Sequence, residues 1–166
     1  MQSPSNPQDA HPAEPVPEMV AATSAHFYIG AEPTEISLQM HAPTGPARLR
    51  DPRDRQVILR VENVTCDKLA PSFDVYLNVP RGHAPQEHPE LLTGGLGLFG
   101  IVQASQGSGP HGGAGMNFRI DATGLFNRLA AMKDWDPKVL RVTFVPEVWD
   151  TPIPQVKVGR VSLYLK

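Results

Sequence analysis

Cysteine is almost absent from this chain: Cys66 is the single one in 166 residues. One thiol excludes an internal disulfide and any cysteine cage for a metal, and it fits a reducing compartment. Aromatic residues are sparse at 7% and charged residues make up 19%, with a net charge of −2 and a pI near 6.3. That balance offers no basic excess to draw nucleic acid or an anionic membrane, so neither is expected as a partner. No apolar run approaches the roughly 20 residues that span a bilayer. The N-terminus also lacks the charged-then-apolar layout of a signal peptide. The expectation is a soluble, cytoplasmic chain.

What is plentiful is proline and glycine, 18 and 14 residues, beside a hydrophobic share of 40%. The length suits one domain with a core of its own. Turn-forming residues at this density favour short strands joined by turns. Residues 1–17 carry Pro4, Pro7, Pro12, Pro15 and Pro17 and no Leu, Ile, Phe, Tyr or Trp. Such a segment buries too little apolar area to offset its ordering entropy, and it is expected to be a disordered linker that follows something else. Residues 18–166 are then the single folded domain.

Period-2 alternation recurs through that domain and marks strands with one buried face. It is clear around Ile36–Met40, Val57–Val61, Phe73–Val79, Met116–Ile120 and Leu140–Phe144. His26–Ile29 and Leu98–Gln103 are less regular candidates. In the last segment Val156 and Val158 share one parity, whereas Val161, Leu163 and Leu165 take the other. A bulge at Gly159 accounts for this slip, and burial on both faces is the alternative. Leu125, Phe126, Leu129 and Met132 fall at helical spacing, with Asp121 or Thr123 as cap and Asp136-Pro137 as stop, which predicts a short helix over about 123–133. Seven or eight strands and one helix make an all-β chain, an antiparallel β-sandwich or jelly-roll-like barrel.

Few residues combine into a chemical site. The six histidines are His11, His26, His41, His83, His88 and His111. None lies on the predicted helix and no His-x-x-x-His pair occurs, so converging imidazoles for a copper pair are not expected. His83, His88 and Glu87 or Glu90 share a Pro-rich loop, with His111 as a further candidate, but no helix or strand register organises them. No metal is therefore expected in this chain. Cys66 has no base near it in sequence and reads as a small buried thiol. Gly94-Gly95-Leu96-Gly97 and the glycines of 107–115 lack the strand-to-helix context of a phosphate loop. Arg48, Arg50, Arg53 and Arg55 alternate with Asp51 and Asp54, as on a solvated surface. No catalytic residue is expected.

Ser72-Phe73-Asp74-Val75-Tyr76 resembles the Phe-Asp-Val-Tyr strand in the C-terminal domain of plant polyphenol oxidases and bacterial tyrosinases. Other segments follow in the same order: Pro17–Thr23, Val57–Asn63, Gly97-Leu98-Phe99-Gly100-Ile101, Phe118–Asp121, Asp134-Trp135-Asp136-Pro137, Val142–Pro146 and Val158–Ser162. Ser72 stands where the plant form usually has lysine. The resemblance implies a β-sandwich that covers a separate dicopper catalytic domain, absent from these residues, and keeps that enzyme latent. Copper would then belong to the catalytic domain, joined in cis or in trans, and this chain would have no cofactor. The resemblance also implies a side chain that enters the copper pocket, for which Leu91 and Leu92 on the loop 81–97 are the candidates. A stand-alone β-sandwich that binds a protein or carbohydrate is the alternative. It requires Trp135, Trp149, Tyr28 and Tyr76 to meet on one face.

Overall fold

The computed structural model describes residues 14–166. Most of the expected linker, residues 1–13, thus lies outside the described residues. The elements are β1 (Glu18–Ala22), β2 (Phe27–Ile29), β3 (Thr34–Gln39), β4 (Val57–Thr65), β5 (Phe73–Leu77) and β6 (Leu92–Leu96), then α1 (Ile101–Ala104), β7 (Met116–Asp121), α2 (Thr123–Ala130), β8 (Val139–Pro146) and β9 (Val156–Leu165).

All pairings are antiparallel. One sheet has the order β1-β9-β4-β7, with β2 also on β9, and the other has the order β3-β8-β5-β6. The two layers form a sandwich and do not close into a barrel. Between them lie Leu59, Leu163, Phe73, Leu77, Leu140 and Phe144, all fully buried. Each such side chain contributes about 1.5–3 kcal/mol by leaving water.

Three expectations need correction. The described residues hold nine strands rather than seven or eight, because Glu18–Ala22 and Leu92–Leu96 are strands as well. Residues 98–103 are not a strand: Gly100 takes φ +83°, and Ile101–Ala104 form one helical turn. Ile101 and Ala104, three apart, bury together, which a single turn allows and a strand does not.

The third correction concerns the parity slip. The register between β9 and β4 stays constant from Val57–Leu165 to Thr65–Lys157, so β9 carries no extra residue against β4. Both strands turn over together. Asn63, at φ +53°, sits opposite Gly159, and the register shift falls in β4 against β7, between Val61 and Val64. A Cβ at Gly159 would lie 2.7 Å from the Cβ of Asn63, so the close approach requires glycine. Asn63 holds its left-handed backbone with two hydrogen bonds. Its N–H donates to Asn117 Oδ1 at 2.8 Å, and its Nδ2 donates to the Ala114 carbonyl at 3.2 Å.

α2 runs over Thr123–Ala130, inside the predicted span, and buries Leu125 and Leu129. Asp121 Oδ1 accepts from the Thr123 N–H at 3.0 Å and from its hydroxyl at 2.6 Å, fixing the entry to the helix. Among the described residues no helix is long and apolar enough to cross a membrane.

Candidate functional site

Strand register sorts the loops into two groups, one at each end of the sandwich. Phe73 pairs with both Leu96 and Pro146, so β5 starts where β6 and β8 finish. The segments 66–72, 97–100 and 147–155 therefore emerge at one end. Two hydrogen bonds bind this end together: Glu147 N–H donates to the Ser72 carbonyl at 2.9 Å, and Cys66 N–H donates to Ser105 Oγ at 2.9 Å.

Each of those three segments presents apolar side chains to water. Phe99 is 99% exposed, Val148 98% and Leu69 75%. Trp149 keeps close to half of its surface in solvent. Phe99 stands on a four-residue turn between two buried residues, Leu98 and Ile101, which hold its backbone while the ring points away from the core. The Ile101 N–H closes this turn on the Leu98 carbonyl at 3.1 Å. A large aromatic ring held out in this way costs solvation free energy unless something covers it.

The opposite end is built differently. There the β5–β6 loop, α2 and residues 131–138 enclose a cavity of about 450 Å³. Leu91, Leu125, Leu129, Met132 and Trp135 give it apolar walls, and Asn78, His88, Glu90 and Arg141 lie at its rim. Trp135 packs edge-on against Phe126 with ring centroids 5.3 Å apart. Arg141 is tied down on three sides: Nη1 donates to the Val79 carbonyl at 2.7 Å and to Glu35 Oε2 at 3.1 Å, and its N–H donates to Asn78 Oδ1 at 2.9 Å. Of the two leucines expected to enter a partner's pocket, Leu91 belongs to the core at 8% exposure, and cannot reach outward without leaving it. Leu92 faces partly outward beside Tyr76 at 42% exposure. Sequence reasoning passed over Phe99, although an aromatic residue between glycines in Gly97-Leu98-Phe99-Gly100 was the available signal.

The remaining candidates disperse. His83 and His88 meet, with Nδ1 of one 2.9 Å from Nε2 of the other, and Glu87 is close enough to join them. His111 lies on the α1–β7 segment at the apolar end and does not join this cluster. His26 stacks edge-on against Tyr28 at 5.8 Å on the rim of a shallow cleft near Gly159. The described histidines therefore form no six-imidazole cradle for a copper pair. Cys66 is buried, with its sulfur 3.6 Å from the Gln155 carbonyl. Asp51 chelates Arg53, and the surrounding arginines line two short 3₁₀ turns, Pro46–Leu49 and Pro52–Asp54. The aromatic face needed by a carbohydrate-binding module is not assembled: Tyr76 is buried, and Trp135 and Trp149 sit at opposite ends.

Comparison with known proteins gives a consistent pattern. The family model described as "Domain of unknown function (DUF7868)" matches residues 16–166. Tyrosinase HcTyr1 of Hahella sp. (strain CCB-MM4) is 33% identical over 154 residues, which are 90% of this chain and 33% of that protein. The solved structure of latent apple tyrosinase superposes with a TM-score of 0.52 at 20% identity, covering 84% of this chain and 27% of the apple protein. A recombinant latent aurone synthase, a polyphenol oxidase, gives 0.53 at 16% identity over 84% of this chain and 25% of its own. The chain thus spans about a third of the tyrosinase and a quarter of the plant structures. The region matched is their C-terminal part.

Proposed function

The chain belongs to the family described as a domain of unknown function (DUF7868), a C-terminal domain of tyrosinase-type proteins, and from that membership we propose that it is a non-catalytic shielding domain. On this reading it docks, in cis or in trans, over a tyrosinase-like catalytic domain and keeps the copper pocket of that partner closed to substrate. The observation that carries the reading is Phe99, a rigidly mounted and almost fully exposed phenylalanine at an apolar end of the sandwich. The coverage supports it: the chain matches a third of a tyrosinase, leaving two thirds of that protein for the chemistry. Both plant relatives named above are described as latent enzymes.

The physics of shielding needs only an apolar side chain and a concave, largely apolar pocket. Burying one phenylalanine on association contributes about 1.5–3 kcal/mol, roughly 10- to 100-fold in affinity. Tethering supplies the rest, because a linked domain acts at high effective concentration. Leu92 remains the second candidate for entering the pocket, since it is the outward member of the expected leucine pair.

The test is a titration of this chain into tyrosinase HcTyr1 prepared without the third that the chain matches, following catechol oxidation. Saturable inhibition is expected. Phe99→Ser weakens it by at least about tenfold while changing stability by less than about 0.5 kcal/mol, because the ring touches little of its own fold. Equal inhibition by wild-type and Phe99→Ser chains would remove Phe99 from the account. No inhibition by either chain would remove the shielding role.

A further inference from the structure

The β5–β6 loop at the other end of the sandwich holds a second arrangement, independent of docking. Its backbone is rigid. Pro80, Pro85 and Pro89 punctuate it, and Pro85–Glu87 and Pro89–Leu91 are short 3₁₀ turns anchored by the buried Pro85 and Leu91. Backbone hydrogen bonds run from His83 N–H to the Pro80 carbonyl at 3.1 Å and from His88 N–H to the Pro85 carbonyl at 2.9 Å. Arg128 of α2 clamps the loop from outside through the Glu90 carbonyl at 3.3 Å.

This frame brings the side chains together. His83 Nδ1 lies 2.9 Å from His88 Nε2, with the two rings tilted by 44°. On its far side, His88 Nδ1 lies 2.9 Å from Glu90 Oε1. A carboxylate only accepts, so His88 carries its proton on Nδ1 and turns the lone pair of Nε2 toward His83. This is the relation by which carboxylates orient histidines that bind metals. Glu87 brings a carboxylate oxygen to within 4.8 Å of a ring nitrogen of each histidine.

We propose that His83 Nδ1, His88 Nε2 and the Glu87 carboxylate bind one divalent transition-metal ion of the zinc–copper class, with Glu90 as a positioning residue for His88. Two imidazoles and one carboxylate suit zinc, copper or nickel better than magnesium or calcium, which favour all-oxygen sets. The ion replaces the proton shared between the two rings. Nitrogens at about 2.0–2.1 Å from a tetrahedral ion stand roughly 3.3 Å apart, so the rings separate slightly from their present 2.9 Å. His83 and Glu87 are exposed, so this opening meets no packing resistance from their side. The fourth position of the ion stays open to water or to a ligand from outside.

Calorimetric titration of the full chain with zinc chloride tests the site. One ion binds saturably at micromolar concentration. His83→Ala and His88→Ala each weaken binding by more than about 100-fold, beyond what loss of an outer partner costs, and His111→Ala leaves it unchanged. Glu90→Ala weakens binding about tenfold, and Glu90→Gln restores most of that loss, because its amide oxygen accepts the same hydrogen bond. A bystander at position 90 would show neither effect. Absence of saturable binding at millimolar zinc overturns the proposal. So does binding that survives in the His83→Ala/His88→Ala double variant, which would place the ion elsewhere.

Discussion

Glu62 and Arg160 face each other across β4 and β9, one residue away from the point where both strands reverse their buried face. Arg160 Nε donates to Glu62 Oε2 at 2.9 Å, and the buried Ser162 hydroxyl donates to the same oxygen at 3.0 Å. The Arg160 hydrogen bond, ahead of that from Ser162, holds the Glu62 carboxyl below its ordinary value of 4.5. A lowered carboxyl pKa means that the stabilisation is complete above the unfolded value and is lost as pH falls through the folded one. Glu62→Ala is therefore expected to cost about 1–2 kcal/mol at pH 7, discounted for the half-exposed arginine. Urea unfolding of both chains at pH 7 and again well below 4.5 checks this: the difference shrinks in acid. The sequence displayed the reversal at Gly159 through the parity of its valines. It could not display Asn63, because asparagine in an alternating segment carries no mark of a left-handed backbone. The consequence was a bulge assigned to the wrong strand.

Among the elements, those with a repeating pattern were legible, and so was the short β2, whereas β1, β6 and α1 were not. α2 was found from Leu125 and Leu129, which stack one turn apart and bury against the layers. Leu129→Ala is expected to lower stability by about 2–4 kcal/mol, the transfer loss plus a cavity beside Trp135; thermal unfolding measures it. The strands β3, β4, β5, β7 and β8 were equally plain. β6 was hidden because Thr93-Gly94-Gly95 interrupts any alternation, although it pairs with β5 from Phe73 to Tyr76. α1 was misread for the opposite reason: Leu98, Ile101 and Ala104 bury at helical spacing, but four residues are too few for that period to stand out against strand alternation. The histidine loop was visible as a composition, His83, Glu87, His88 and Glu90 among prolines. Its geometry was not, because two successive 3₁₀ turns have no sequence period long enough to read.

At the scale of the molecule, the sandwich has two unlike ends, and this division follows from register alone. Resemblance of ordered segments gave the family and the fold class, and comparison with known proteins bears both out. That Leu69, Phe99 and Val148 share one end was not available from sequence, since they are far apart along the chain and come to the same end only once Phe73, Leu96 and Pro146 are aligned. The leucines chosen from sequence lie at the other end, one of them within the core. On the shielding role proposed above, the apolar end is the docking face. Hydrogen–deuterium exchange of this chain, alone and mixed with the tyrosinase core that lacks its matching third, tests that placement directly. Protection confined to segments 66–72, 97–100 and 147–155 is the predicted result. Protection of residues 80–91 and α2, with the Phe99 turn exchanging as it does in the free chain, would contradict it.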